Sequence, residues 1–207
     1  MPLQNRVDPF GEFNAVAARG LLFGNRGGRF HRDDRTLTRR RWTSRAWICC
    51  RLAFKGRHRT VWGQGFTELF FLDEPTALAA GHRPCFECRR ADALAFAAAW
   101  ARAHRLPASP HAPAMDAVLH AQRLDDRVKR RHRAALDDLP DGAMIALLAR
   151  GDRALGVRGD ALLPWTASGY GAPQPRPRGI AVDLITPPAT VAALAAGYVP
   201  QWHPSAG

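Results

Sequence analysis

The chain has 207 residues, of which 46% are hydrophobic, so it can bury the core of one large domain or of two small ones. No apolar run reaches the roughly 20 residues of a membrane-spanning helix, and the opening residues lack the apolar segment of a signal peptide. We therefore expect a cytoplasmic protein without a membrane partner, and the formal net charge of +12 favours nucleic acid as the partner.

Residues 20–41, GLLFGNRGGRFHRDDRTLTRRR, are rich in glycine and arginine, which predicts a loop. A basic segment begins within this loop: twelve Lys or Arg stand between Arg26 and Arg59, against two acids, Asp33 and Asp34. Like charges at this density repel one another. A polyanionic partner is therefore favoured over the alternative, a solvated basic face with no specific role.

Strands and helices are predicted in the rest of the first half. The strand candidates are RAWICCRLAF (45–54), HRTVW (58–62) and TELFFLD (67–73). The residues KGRH between the first two predict a hairpin turn. EPTALAAG (74–81) predicts a short helix, because Pro75 suits a first turn and Gly81 suits a C-terminal cap. The clearest helix is CRRADALAFAAAWARAHRL (88–106).

The second half begins with a Pro-rich stretch, PASPHAPAM, and a charged helix. Beyond Leu139 the strand candidates are AMIALLA, ALGVRG, ALLPWT and IAVDLIT, and the sequence ATVAALAAGYVPQWHP predicts a terminal helix. We therefore expect an α+β fold. A small module with a hairpin, a strand and short helices fills 1–105, the Pro-rich linker and charged helix fill 106–135, and a β-rich part fills 136–207.

Cys85 and Cys88 form a C-x-x-C pair, whose turn can direct both sulfurs at one metal ion. Zinc takes four ligands, and the adjacent Cys49 and Cys50 are the other two cysteines. If they lie on a strand they point to opposite faces, and Cys50 shares the more apolar face with Ile48, which favours Cys50.

The fourth ligand stays open among His31, His58, His82 and Cys49. Buried free thiols in the core are the alternative to a metal site. A redox pair is less favoured, because no thioredoxin-like βαβ pattern surrounds the motif.

Residues 68–90, ELFFLDEPTALAAGHRPCFECRR, resemble the end of the zinc-binding N-terminal domain of the Ada DNA-repair protein, and similar modules appended to bacterial nucleases. The resemblance implies a structural zinc on Cys85 and Cys88 with two further ligands upstream. Here Cys49 and Cys50 are adjacent instead of spaced C-x-x-x-C, so we do not carry over the alkyl-acceptor activity of Ada. The nuclease-appended modules use a His and a Cys, which makes His31 the comparable candidate. Residues 106–207 resemble a conserved bacterial protein of unknown function.

We expect a zinc-stabilised nucleic-acid-binding protein, with DNA favoured and a link to DNA repair or modification. The expected phosphate-contacting residues are Arg39, Arg40, Arg41, Arg45, Arg57, Arg59, Arg89 and Arg90. No small-molecule cofactor is indicated. One alternative is a metal-assisted nuclease or other DNA-modifying enzyme with its site in the C-terminal part. Another is a basic scaffold for an acidic protein partner.

Overall fold

The computed structural model describes residues 1–58, 60–147 and 153–207, and it confirms the expected α+β class. A first sheet is built from the N-terminal part, with strand order β2-β1-β5-β3-β4-β6. Its strands are β1 (Arg6–Val7), β2 (Phe13–Asn14), β3 (Leu22–Asn25), β4 (Ile48–Arg51), β5 (Leu69–Phe71) and β6 (Arg83–Pro84). The pairs β1–β5 and β4–β6 are parallel, and the other neighbours are antiparallel.

Strand β3 lies where the composition predicted a loop. It occupies the middle of the sheet, between β5 and β4. Glycine makes this position possible, because a Cβ at Gly24 would lie 2.1 Å from the carbonyl oxygen of Ile48. The glycine that suggested a loop is therefore the residue that allows close strand packing.

The expected hairpin between β4 and HRTVW is not formed by the described residues. Val61 and Trp62 lie in a turn, and Arg59 is outside the described part of the chain. Strand β4 pairs with β3 on one side and with β6 on the other, so Cys49 has Pro84 as its register partner.

The described residues contain the helices α1 (Glu74–Ala79), α2 (Arg90–Ala103), α3 (Ala112–Arg123) and α4 (Pro188–Ala195). Both α1 and α4 end in a Schellman-type cap. The N–H of Gly81 donates to the carbonyl of Leu78 and the N–H of Gly197 donates to the carbonyl of Leu194, with positive φ angles of 86° and 94° at the two glycines.

Among the helices of the described residues, none has the length and apolar character that a membrane span requires.

A second sheet is formed by the C-terminal part, in the order β13-β12-β11-β10-β15-β9, with β14 paired to β12. Its strands are β9 (His132–Ala135), β10 (Met144–Ala146), β11 (Ala154–Arg158), β12 (Ala161–Thr166), β13 (Gly169–Tyr170), β14 (Gln174–Pro175) and β15 (Ala181–Leu184). A separate hairpin joins β7 (Leu124–Asp125) and β8 (Val128–Lys129). The four predicted strands and the terminal helix are therefore present, although Leu148 and Ala149 of the first candidate lie outside the described residues.

The segment 106–135, expected to be a linker with a charged helix, contains α3, which packs into a shared core. Met115 and Leu119 of α3 are fully buried with Phe96 of α2 and Ala193 of α4. Because one apolar core draws on helices from both halves, the C-terminal part packs directly against the N-terminal sheet and its helices.

Candidate metal centre

Three cysteine sulfurs lie within 4.8 Å of one another, on Cys50, Cys85 and Cys88. We call these residues the cysteine cluster. Cys50 comes from β4, and the other two come from the turn that follows β6. The parallel pairing of β4 with β6 brings them together, and the N–H of Cys85 donates to the carbonyl of Cys49 at 3.0 Å.

The turn from Cys85 to Arg89 directs its two sulfurs toward Cys50. The carbonyl of Cys85 accepts from the N–H of Arg89 at 3.0 Å, which closes the turn. The N–H of Glu87 donates to the Cys85 sulfur at 3.4 Å. Cys50 and Cys85 are buried, and Cys88 is partly exposed. The C-x-x-C spacing of Cys85 and Cys88 is thus sufficient to position two of the three sulfurs of the cluster.

Hydrogen bonding stabilises negative charge on two of the sulfurs. The thiol of Cys50 and the backbone N–H groups of Glu87 and Cys88 lower the pKa of Cys85 to about 5. The pKa of Cys88 is also lowered, first by the Cys50 thiol and then by the N–H of Arg51. The pKa of Cys50 is raised, because its proton is shared with both neighbours. Thiolates in this arrangement form a donor set that could hold a metal ion of soft or borderline character.

Cys49 lies on the opposite face of β4 and outside the cluster, as strand alternation requires. Its sulfur is fully buried and accepts a hydrogen bond from Nη1 of Arg89 at 3.3 Å. Burial raises the pKa of Cys49 to about 12. Cys49 is therefore a protonated thiol that supports the turn through Arg89.

The structure does not bring the histidine candidates to the cluster. Both ring nitrogens of His31 are engaged, with Nδ1 at 2.8 Å from the Thr67 hydroxyl and Nε2 at 2.9 Å from the Gly63 carbonyl. His82 is fully buried, and its Nε2 accepts from Arg26 at 3.4 Å. His58 is exposed. The three sulfurs thus form the group that the described residues offer to a metal.

An apolar pocket of about 370 Å³ opens over the cysteine cluster. Phe23 and Phe70 share the Cys50 face of the sheet, because Phe23 is the register partner of both Cys50 and Phe70. The pocket is also lined by Phe54, Phe66, Ile48, Val61, Glu68, Arg57 and Glu87. Sequence analysis missed this pocket. Its one local signal was the apolar face of β4, since the phenylalanines come from distant segments.

Two buried arginines support the turn. The guanidinium of Arg83 makes a bidentate pair with Asp116 of α3, with both N–O distances 2.8 Å. Arg89 bonds Glu74 and Asp92, each at 2.8 Å. Arg89 was expected in the nucleic-acid-binding surface, but it is only 2% exposed and its donors are occupied. It is therefore a structural residue that cannot reach a phosphate on the surface.

The other expected phosphate-contacting residues lie in different settings. Arg39, Arg40, Arg45 and Arg90 are exposed, and Arg41 is partly exposed. Arg57 is exposed but pairs with Glu87 at 2.7 Å, at the rim of the apolar pocket. Arg59 lies outside the described residues.

Comparison with known proteins gave no match: no family model, no curated protein and no solved structure corresponds to this chain. The resemblance of residues 68–90 to Ada-type zinc modules therefore stays a prediction.

Proposed function

We propose that the cysteine cluster binds zinc and that the protein binds nucleic acid, DNA in the first place, through exposed arginines of residues 38–46. The observation that carries this proposal is the arginine loop, residues 38–46. Arg39, Arg40 and Arg45 extend from it into solvent. Zinc is the metal of choice for the cluster because it favours thiolate ligands and tetrahedral geometry.

The arginine loop is held in one conformation by hydrogen bonds to its backbone. The carbonyl of Arg26 accepts from the N–H of Thr43 at 2.9 Å. Nη2 of Arg123 donates to the carbonyl of Arg45 at 2.9 Å. The indole of Trp47 donates to the carbonyl of Ser44 at 3.1 Å. A loop fixed in this way loses little conformational entropy when its arginines contact phosphates, which favours binding.

The charges of this loop lack acidic partners. Among the described residues, no carboxylate lies within 4.0 Å of the guanidinium nitrogens of Arg39, Arg40 or Arg45. An exposed arginine that makes no ion pair is free to contact a phosphate and to release the counterions around it. Nucleic acid presents a row of phosphates. It therefore complements the several arginines of this loop better than a single acidic side chain would.

The test compares two double variants that remove equal charge. Arg40→Gln with Arg45→Gln changes the arginine loop, and Arg105→Gln with Arg133→Gln changes exposed arginines elsewhere. The affinity for a labelled DNA duplex is measured by fluorescence anisotropy between about 50 and 200 mM salt. Loss of two phosphate contacts should reduce the slope of log affinity against log salt by about 2 in the loop variant.

The control pair should leave that slope close to the wild-type value. Equal effects of the two double variants would reduce the interaction to net charge and contradict a specific loop. Wild-type binding that does not change with salt would contradict phosphate contacts altogether.

A second candidate function is metal-assisted catalysis at the cysteine cluster, favoured by the pocket above it. Three protein ligands with a position left for water or substrate are typical of catalytic zinc, whereas structural sites have four. This candidate differs from the expectation of an enzymatic site in residues 136–207. X-ray absorption of the zinc-loaded protein distinguishes the two: three sulfurs with one light atom support an open site, and four sulfurs contradict it.

A further inference from the structure

A second pocket, of about 390 Å³, has six basic side chains in its lining. We call it the cationic pocket. Its basic residues are Arg26, Arg39, Arg41, Arg123, Arg127 and Lys129, and its acidic residue is Glu12. Phe10, Trp42 and Trp47 add aromatic surface. It shares no lining residue with the apolar pocket over the cysteine cluster, so the two are separate sites.

Arg26 is 3% exposed and sits against aromatic rings rather than acids. Its guanidinium carbon lies 3.9 Å from the ring centroid of Trp47 and 4.7 Å from that of Phe13. Nη2 donates to the carbonyl of Gly11 at 2.9 Å, and Nε donates to His82 at 3.4 Å. These partners are neutral groups, which orient the positive charge without neutralising it.

Arg123 is fully buried and repeats this pattern. Its guanidinium carbon lies 3.7 Å from the centroid of Trp47, and it donates to the carbonyls of Gly81 and Arg45, each at 2.9 Å. Its Nε is buried without a hydrogen-bond partner. A buried N–H that makes no bond costs free energy, which adds to the cost of burying this charge.

Lys129 brings a third cation to the same place, and its Nζ donates to the carbonyl of Ala79. Burial, and then the charges of Arg26 and Arg123, lower its pKa to about 7. The pKa of Arg123 is lowered to about 9, chiefly by burial. The two lowered pKa values mean that the charged forms of Lys129 and Arg123 are less stable in the folded protein than in water when no anion is present.

Acidic groups near the pocket do not balance these cations. In the described part of the chain, no carboxylate lies within 4.0 Å of a cationic nitrogen of Arg26, Arg123 or Lys129. Asp8 and Glu12 act on Arg26 only at longer range, as do Asp116 on Arg123 and Asp8 on Lys129. Two buried cations and a partly buried third, none of them in an ion pair, are strongly disfavoured in a folded protein unless something neutralises them.

We propose that the cationic pocket is a binding site for a phosphate monoester. Arg39, Arg41 and Arg127 line the pocket and are exposed or partly exposed, and arginine guanidinium groups bind phosphate oxygens in a bidentate manner. Arg26 and Arg123 lie behind them and add positive charge. A monoester carries close to two negative charges at pH 7, which suits a site with several cations better than a carboxylate does. Trp42 at the pocket wall offers a flat apolar surface to the group that carries the phosphate.

Such a phosphate has two sources, a free phosphorylated small molecule and the phosphorylated end of a nucleic acid strand. A concave pocket accepts a strand end more readily than an internal phosphate of a duplex, which is flanked by sugars on both sides. Arg39, Arg41 and Trp42 belong both to the arginine loop and to the pocket, but Arg40 and Arg45, the residues changed in the DNA-binding test, do not line the pocket. The two proposals can therefore be tested separately.

The experiment has two arms on the full-length protein. In the first, inorganic phosphate is titrated by calorimetry against a chloride control of equal ionic strength. In the second, one oligonucleotide is compared with a 5′-phosphate and with a 5′-hydroxyl. Arg26→Met and Lys129→Met each remove one charge at nearly equal volume, and exposed Arg105→Gln is the control.

We expect phosphate to bind the wild type and the control, and each pocket variant to bind about tenfold more weakly or worse. Lys129→Met should also melt at a temperature no lower than the wild type without phosphate, because it removes a partly buried charge that lies beside Arg26 and Arg123 and makes no ion pair. Preference for the 5′-phosphate identifies a strand end as the source, and binding of inorganic phosphate without that preference identifies a small molecule. The inference is overturned if neither arm responds, or if both pocket variants bind phosphate like the wild type.

The 5′-hydroxyl oligonucleotide lacks the phosphate monoester, so its binding reports on contacts to the rest of the strand, those of Arg40 and Arg45 among them. A failure of the cationic pocket and a failure of the proposed DNA binding are therefore separate results.

Discussion

The hydroxyl of Tyr198 donates a hydrogen bond of 2.5 Å to Oε1 of Glu74, 124 residues earlier in the chain. The other carboxylate oxygen of Glu74 accepts from Nη2 of Arg89 at 2.8 Å and from the N–H of Gln201 at 2.9 Å. Arg89 in turn contacts Cys49, which is adjacent to the cysteine cluster. The segment after α4 is therefore one of the supports of the candidate metal centre.

Tyr198→Phe should destabilise the protein by about 1–3 kcal/mol, because it leaves a buried carboxylate oxygen of Glu74 without its donor. Urea unfolding followed by far-UV circular dichroism measures the change. Gln201→Ala is the matched control, since its contact with Glu74 uses the backbone N–H, and it should stay within about 0.5 kcal/mol of the wild type. A Tyr198→Phe variant as stable as the control would contradict this role.

Substitution of the adjacent residues Cys49 and Cys50, one at a time, gives the most specific test of the metal centre. Cys50→Ser, Cys85→Ser and Cys88→Ser should each lose most of the bound metal, because each removes one of three clustered sulfurs. Cys49→Ser should retain about one metal per chain, as the wild type does, since its sulfur faces Arg89 instead. Elemental analysis of the purified proteins gives the ratio. Equal loss in Cys49→Ser and Cys50→Ser, or no metal in the wild type, would refute the assignment.

The sequence was informative where the structure depends on local geometry. The C-x-x-C spacing predicted that Cys85 and Cys88 lie together, and strand alternation favoured Cys50 over Cys49. It failed for β3, because glycine and arginine predict a loop unless the close approach to Ile48 is known. The pairing of β4 with β6 could not be predicted either, since short strands carry no signal that identifies a distant partner.

The cationic pocket was even harder to predict from the sequence than the pairing of β4 with β6. Arg26, Arg123 and Lys129 come from separate parts of the sequence, and each looks like an ordinary member of a basic composition. Arg26 and Arg123 are buried and Lys129 is partly buried, unlike the exposed arginines, and this burial depends on how β3, α3 and β8 pack together. Net charge alone therefore predicted an anionic partner but neither the pocket nor its residues.

The buried pair of Arg83 and Asp116 should be necessary for the position of β6. Asp116→Ala leaves a buried guanidinium without its counter-charge and should cost about 3–5 kcal/mol of unfolding free energy. Asp125→Ala removes an exposed partner of Arg130 and should cost about 0–1 kcal/mol. Replacing both members, Arg83→Met with Asp116→Leu, should recover much of the loss in urea unfolding. A cost for Asp116→Ala as small as that for Asp125→Ala would show that the pair does not stabilise the fold.

Lys129 should make stability depend on pH in phosphate-free buffer. Its pKa is about 7 in the folded protein and 10.5 ordinarily, because burial and the charges of Arg26 and Arg123 outweigh the opposite effect of Asp8. Between these values the unfolded chain binds a proton that the folded chain does not. Unfolding free energy should therefore rise with pH above about 7, by at most about 1.4 kcal/mol per pH unit from this group.

The measurement is urea unfolding at several values between about pH 7 and pH 8, below the pKa of about 9 at which Arg123 titrates in the folded protein. Lys129→Met should lose this part of the slope, and Lys55→Met, which changes an exposed lysine, should keep it. Added phosphate should flatten the wild-type slope, because a bound anion keeps Lys129 protonated in the folded state. The same slope in all three proteins would mean that Lys129 keeps its ordinary pKa, and the charge of the cationic pocket would then be solvated rather than held for a ligand.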